Sequence, residues 1–572
     1  MALVILFSLA AITLATPQSP LEFPNPAGYE FKKYSAPSLD PLWAKIASPI
    51  DPPKYTSTVV PTPEPATYTQ PNEFHPLVAS HDTNLTNLKL PKNFIWGVAS
   101  SAYQIEGAAK LEGKGPSIWD ALSHNVPNFV ADNSTGDNVA EQYMMYKVDI
   151  ARMKGLGIPA FSPSFAWPRF FPTGKAKDGV NEEAVKHYDD VITELVSAGI
   201  KPVITLFHWD TPLALFGEYG AWLSPKAMDD FVDYAKFVIQ RYDSVVSTWY
   251  TFNEPQYCNW QFSEYPLDGR FYPIGGQDLS KFVGKEGKLR ARFLCGHYTL
   301  LAHARVAKWY HNEFKGKGRI TFKNSGNFQE PRTQSAADLR AAQRGFDFSI
   351  GWFGGPWTDG DYPTSLRETL GDLLPTFTTE EKSLIKGSCD FYAIDPYTSF
   401  TLYSEPDAEN CYTNRTNSGY PECTSSTQTG ANGFPMGPSS DNGVSWLKST
   451  PYGIRKFLKK IMILFPSVPD IVVSEFGFAE PFESRLTKME DILWDLRRAD
   501  YYQNYLDAIL QSIHYDHINI TGAWGWSVYD NFEWLVGSDV RFGLQYLNYT
   551  SLERTPKASM FQFLNWFKQH SA

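Results

Sequence analysis

The sequence has no basic surplus. Its 51 lysines and arginines are outnumbered by 62 aspartates and glutamates, giving a formal net charge of −11. A nucleic-acid binder needs a cationic footprint to displace counterions from phosphates, and a peripheral membrane anchor needs a polybasic patch; this balance argues against both. Cysteine is scarce, with five residues, no Cys-X-X-Cys and no Cys/His cluster of metal-ligand spacing. His297 and His303 lack the i, i+4 spacing of a zinc pair and read as structural. No metal and no cofactor are expected. Beyond the first residues, no apolar run approaches the roughly 20 residues that a membrane-spanning helix needs.

What is present begins with Met1 to Ala15, an apolar stretch ending on the cleavage-like Thr13-Leu14-Ala15. It is too short to span a bilayer and reads as a secretory signal peptide over residues 1–15, although its n-region carries no Lys or Arg. Asn-X-Ser/Thr acceptors at Asn84, Asn133, Asn414, Asn519 and Asn548 fit a glycosylated, extracellular product. About a third of the 41 prolines fall within residues 17–80, and the stretch from Asp51 to Pro65 has neither helical nor strand period. Proline fixes φ and removes donors, so residues 16–88 are expected to form an extended arm or linker, open to processing, instead of a core. Phe23, Tyr29, Phe31, Tyr34 and Trp43 give that arm apolar surface with which to lie along the rest.

Cys411 and Cys423 bracket a polar segment rich in Asn, Thr, Ser and Gly. In an oxidising compartment they are expected to close a loop, a bond worth roughly 3 kcal/mol. Cys389 precedes an apolar strand and reads as a buried thiol. Cys258 and Cys295 either pair or stay free, and the sequence leaves that open.

From about residue 90, short apolar runs alternate with amphipathic segments. The runs are 93–98, 158–165, 202–208, 246–254, 319–324, 390–397, 471–475 and 522–528. Between them, Asn181 caps a helix whose Val185, Tyr188, Ile192 and Leu195 recur at helical spacing, and Gly157 and Gly199 end helices. Eight strands separated by helices imply parallel pairing and an α/β fold, a closed (β/α)8 TIM barrel spanning residues 89–572 as one large catalytic domain. In such a barrel the C-terminal strand ends carry function. The fourth run ends on Glu254 in Thr251-Phe252-Asn253-Glu254-Pro255, and the seventh reaches Glu475 in Val472-Val473-Ser474-Glu475-Phe476-Gly477. A carboxylate at the mouth of a buried strand is costly to desolvate, and two on separate strands are what cleavage of a glycosidic bond requires. His208 and Tyr397 end the third and sixth runs. The 15% aromatic content, with 17 Trp and 31 Tyr, suits stacking on sugar faces as well as a large core.

The ordered motifs Ser101-Ala102-Tyr103-Gln104-Ile105-Glu106-Gly107, Phe207-His208-Trp209-Asp210-Thr211-Pro212, Thr251–Pro255, Ser474–Gly477, Trp526–Trp534 and Arg541-Phe542-Gly543 resemble glycoside hydrolase family 1, and within it the secreted fungal β-glucosidase-like members. The resemblance covers residues 90–567. It implies that Glu254 is the acid/base and Glu475 the nucleophile of a retaining double displacement. It further implies that Gln104, Glu533 and Trp534 hold hydroxyls at the non-reducing end, and that His208 and Asn253 reach those nearer the anomeric carbon. By the same resemblance Trp526 forms a stacking floor near Phe542, Tyr397 lies beside the nucleophile, and Glu533 disfavours 6-phosphorylated sugars.

Three positions depart from the family pattern. Ser162 stands where an arginine usually pairs with the nucleophile, so Glu475 is expected to lose a charge partner. Asp395 replaces an asparagine on the sixth strand, and Phe476 an asparagine after the nucleophile. The expected activity is a secreted β-glucosidase acting on small oligosaccharides or on aryl and plant glucosides. The alternatives are preference for β-galactosides or β-fucosides, transglycosylation, or a catalytically impaired carbohydrate-binding protein. Selectivity for the leaving group is assigned to the loops Gln261–Lys288 and Glu405–Asn442.

Overall fold

The structure is a computed structural model that describes residues 21–47, 49–65, 68–71, 77–264, 282 and 284–572. The leader expected at residues 1–15 lies outside the described residues. Eight strands form one ring: β1 (Ile95–Ala99), β2 (Ala160–Ser162), β3 (Lys201–Pro202, resuming at Ile204–Thr205), β4 (Thr248–Asn253), β5 (Arg319–Ser325), β6 (Tyr392–Asp395), β7 (Ile471–Phe476) and β8 (Ile520–Trp526). Each pairs in parallel with its neighbour in chain order, and β8 returns to β1 from Gly522↔Ile95 to Trp526↔Ala99. Val203 divides β3. Its first part pairs with β2 through Ala160↔Lys201 and its second with β4 through Ile204↔Trp249, so the ring is completed by one broken strand. This is the TIM barrel that the eight runs predict.

Two strands are shorter than their apolar runs for a local reason. Pro159 and Pro163 flank β2, and Pro202 lies within β3; each removes a ladder donor. The helices follow their sequence signals. Asn181 Oδ1 accepts from the Glu183 amide at the start of helix Glu182–Ser197, whose Val185, Tyr188, Ile192 and Leu195 are buried. Helix Gln142–Leu156 stops at Gly157, whose φ of 77° is available to glycine without a Cβ clash.

The proline-rich arm is joined to the barrel along much of its described length. Phe31 and Lys32 pair with Val180 and Asn181, and helix Ala36–Trp43 follows. Tyr34, Leu39, Trp43 and Ile46 are buried, and the Trp43 indole donates to the Lys114 carbonyl at 3.0 Å. Phe23 and Tyr29 lie edge-on to Tyr242 and Phe237, at 5.1 and 5.0 Å between ring centres. Further along, the amides of Asp51, Tyr55 and Val59 donate to Asp137, Glu141 and the Met144 carbonyl. The expectation of an arm outside any core therefore does not describe residues 34–46, where large apolar side chains outweigh the proline signal.

Cys411 and Cys423 are bonded, as expected, and Cys389 is free and buried. The open question about Cys258 and Cys295 is answered by a second disulfide, which ties helix Tyr257–Glu264 to helix Gly284–Trp309. The ends of the expected Gln261–Lys288 loop are thus helical, and residues 265–281 and 283 lie outside the described residues. Trp43→Ala should destabilise the whole barrel by about 3–5 kcal/mol, read as a lower denaturant midpoint; an unchanged midpoint would show that the arm is dispensable to the core.

Candidate active site

The C-terminal strand ends converge on one mouth. Asn253 closes β4 and Glu254 follows it; Glu475 is the penultimate residue of β7, Asp395 ends β6 and Trp526 ends β8. Glu254 (6% exposed), Glu475 (3%) and Asp395 (1%) are buried, and one carboxylate oxygen of each lies within 4.8 Å of the others. The backbone helps aim them. Glu254, Trp209 and Trp534 have φ of 39°, 72° and 47°, a left-handed region that costs non-glycine residues energy and is tolerated where a site needs it. A Cβ on Gly477 would lie 2.0 Å from the Trp526 carbonyl oxygen, so glycine after the Glu475-Phe476 pair lets the chain beyond β7 approach the end of β8.

Both oxygens of Glu475 are engaged. Oε1 accepts from Lys323 Nζ at 2.8 Å and Oε2 from the Tyr397 hydroxyl at 3.2 Å. This corrects the expectation that Ser162 leaves Glu475 without a charge partner: the cation comes from β5, three strands away from the β2 position that Ser162 occupies. Ser162 is buried with its hydroxyl unpartnered. Lys323 was missed because it belongs to no motif. The available signal was a lone lysine at the end of the apolar run Ile320-Thr321-Phe322, at an inward strand position where a charge needs a partner.

Burial and the neighbouring Glu475 push the Glu254 carboxyl up to about 8, against smaller opposing effects of the Ser325 hydroxyl and Lys323. Burial, again reinforced by Glu475, holds the Asp395 carboxyl well above its usual range. Its Oδ1 accepts from the Ser474 hydroxyl at 2.5 Å while Oδ2 has no partner. Glu533 is pushed up to about 8 by burial and Glu475, with the Trp526 side chain as its hydrogen-bond partner and Oε2 unpartnered. Burial, then Lys323, keeps the His208 imidazole well below its usual pKa, so it is neutral. Its Nε2 faces Asn253 Nδ2 at 3.2 Å. An amide nitrogen only donates, so Nε2 accepts and the ring proton sits on Nδ1, which has no partner among the described residues.

The remaining expected residues gather around this centre. Gln104 is fixed by the Ser101 hydroxyl on its oxygen and by the Phe532 carbonyl on its nitrogen, which ties the loop after β1 to the one bearing Glu533. His208 stacks between Trp526 and Trp534 at 5.7 and 5.8 Å, and Phe542 lies 6.3 Å from Tyr397. Buried atoms of His208, Asn253, Asp395 and Glu533 that have no hydrogen-bond partner among the described residues thus accompany an aromatic floor, the arrangement that a polyhydroxylated ring satisfies. Three close carboxylates also form an oxygen donor set for a hard cation, but the Lys323 ammonium already holds one oxygen of Glu475. Phe476 is buried against Tyr502, away from hydrogen-bonding duty.

The chain belongs to Glycosyl hydrolase family 1, whose sequence model matches residues 86–571. It is 37% identical over 479 residues to Beta-glucosidase 24 of Oryza sativa subsp. japonica, covering 82% of this chain and 92% of that protein. It is 35% identical over 518 residues to Raucaffricine-O-beta-D-glucosidase of Rauvolfia serpentina, covering 86% and 94%. Among solved structures it resembles beta-glucosidase 2 from the fungus Trichoderma reesei, with a TM-score of 0.76 at 36% identity over 84% of this chain and 100% of the other. A rice beta-glucosidase in a covalent complex with Glc aligns with a TM-score of 0.75 at 31% identity, over 85% of this chain and 100% of the other. The protein is a glycoside hydrolase.

Proposed function

We propose that this hydrolase is a secreted, retaining β-glucosidase that removes terminal non-reducing β-D-glucosyl residues from small oligosaccharides or from aryl and plant glucosides. The observation that carries the reading is the separation of at most 4.8 Å between carboxylate oxygens of Glu254 and Glu475. Retaining glycosidases hold the pair about 5 Å apart, whereas an inverting enzyme needs a wider gap to seat water. In this reading Glu254 donates its proton to the glycosidic oxygen as Glu475 attacks the anomeric carbon. Glu254, now ionised, then takes a proton from the water that releases the sugar and frees Glu475. The protonated state favoured for Glu254 and the hydrogen bonds that fix Glu475 support those roles. The covalent glucose complex of the rice relative supports the double displacement, and the relatives' names support glucosides as substrates.

His208 Nδ1–H, Asn253 Oδ1 and Glu533 Oε2 supply the groups that glucose hydroxyls would engage, with Trp526 beneath and Gln104, Trp534, Tyr397 and Phe542 completing the walls. The reading of an impaired binding protein loses its first motive, since Glu475 has a cation at 2.8 Å.

A 2-deoxy-2-fluoro-β-D-glucoside should accumulate as an ester on Glu475, located by peptide mass spectrometry; label on another residue, or none with turnover intact, would contradict the assignment. Because Glu254 must enter the first step protonated and its carboxyl is raised to about 8, kcat/KM should hold through neutrality and fall as pH rises through about 8. Glu254→Gln should abolish that limb for a substrate with an activated leaving group.

Secretion rests on the leader, on two disulfides, and on the exposure of Asn84, Asn133 and Asn519, with Asn414 and Asn548 half-buried. Peptide mapping of protein from its native host should find glycans on the exposed three. Finding all of them bare would count against the secretory route.

A further inference from the structure

Lys323 is 1% exposed, and among the described residues no other lysine or arginine makes an ion pair with Glu254, Asp395, Glu475 or Glu533. It also stands between the two catalytic strands in a literal sense. Its Nζ reaches Glu475 on β7, while its own carbonyl accepts the Glu254 amide at 3.0 Å. Nζ lies 2.8 Å from a Glu475 oxygen, and carboxylate oxygens of Glu475 and Glu254 lie within 4.8 Å of each other, which places the ammonium close to both acids. The groups facing this pair from the neighbouring elements are His208 after β3, Tyr250 on β4 with its ring centre 5.2 Å from Lys323 Nζ, Glu254 after β4, Asp395 at the end of β6 with Tyr397 just beyond it, and Glu533 after β8. Burial, reinforced by the surrounding acids, raises Asp395, Glu533 and the phenols of Tyr397 and Tyr250, while burial and the Lys323 charge lower His208, so the neutral form of each is favoured.

We infer that Lys323 is one counter-ion shared by both catalytic carboxylates, balancing Glu475 before glycosyl transfer and Glu254 after it. The inference rests on the double-displacement reading. In the first step a Glu475 oxygen bonds to C1, the C1–O bond to the leaving group breaks, and the Glu254 proton passes to that oxygen. Glu475 becomes a neutral ester and Glu254 an anion. In the second step water bonds to C1, its proton returns to Glu254, and the ester bond breaks to regenerate the Glu475 anion. One anion therefore faces one fixed ammonium throughout, and the buried mouth never carries a net charge. Lys323 acts through the carboxylates and is a positioning residue.

The test is the pH profile of kcat/KM on an aryl β-D-glucoside between about pH 3 and 10 for the wild type, Lys323→Met and Lys323→Arg. Removing a cation makes every nearby carboxyl harder to ionise. Lys323→Met should therefore shift the acidic limb and the alkaline limb, the latter set by Glu254, upward together by about one to three units. Lys323→Arg should leave both limbs in place, because a guanidinium keeps its charge across the range. A merely structural role would lower the rate with both limbs unmoved, and service to Glu475 alone would move only the acidic limb; either result overturns the shared role. If Lys323→Met fails to fold, Lys323→Gln keeps a polar, uncharged side chain one atom shorter and carries the same expectation. A wild type that turns over no aryl β-glycoside would instead remove the double-displacement reading, and the proposal with it.

Discussion

Carboxylates that meet within 4.8 Å in a buried pocket repel one another, and the rest of this structure arranges how that repulsion is resolved. At an effective dielectric constant near 20, two like charges about 4 Å apart cost about 4 kcal/mol. The site escapes the penalty by letting one group ionise. Glu475 receives the ammonium of Lys323 and the hydroxyl of Tyr397, while Glu254 and Asp395 are left with burial and a charged neighbour. A Glu254 carboxyl pushed up beside a Glu475 that is held by Lys323 and Tyr397 is one electrostatic solution, and it is the asymmetry that the proposed acid and nucleophile need.

The barrel makes such a meeting possible between residues far apart in sequence. Parallel strands deliver their C-terminal ends to one rim, so Glu254, Lys323, Asp395 and Glu475 come from β4 to β7 without any of them being near neighbours in the chain. The surrounding structure stiffens that rim. The Cys258–Cys295 bond anchors the helix that begins three residues after Glu254, and Gln104 clamps the loop bearing Glu533. The arm supports the opposite task, closing the outer layer with Tyr34, Leu39 and Trp43.

Much of this was legible in the residues. Glu254 and Glu475 announce themselves because an acid that terminates an apolar, β-branched run has no ordinary reason to be there, and the strands around them were readable from the same runs. Lys323 was not legible, because its meaning depends on a partner 152 positions away, and local pattern says nothing about which barrel strands converge. The second disulfide was hidden for the same reason, its two cysteines being joined by packing between helices. The arm misled in the other direction: proline density signals extended chain, but the helix Ala36–Trp43 carries its prolines at positions 37 and 41 and still buries Leu39 and Trp43. Ser162 shows the limit of motif logic, since the loss of a familiar cation at one strand says nothing about its supply from another.

In the proposed mechanism the two glutamates sit too close for water to act directly at the anomeric carbon, and the sugar passes through Glu475. Proton NMR of the first sugar released from a β-D-glucoside tests this most directly. The β-anomer is expected first and the α-anomer only by later mutarotation. Initial release of the α-anomer would contradict it.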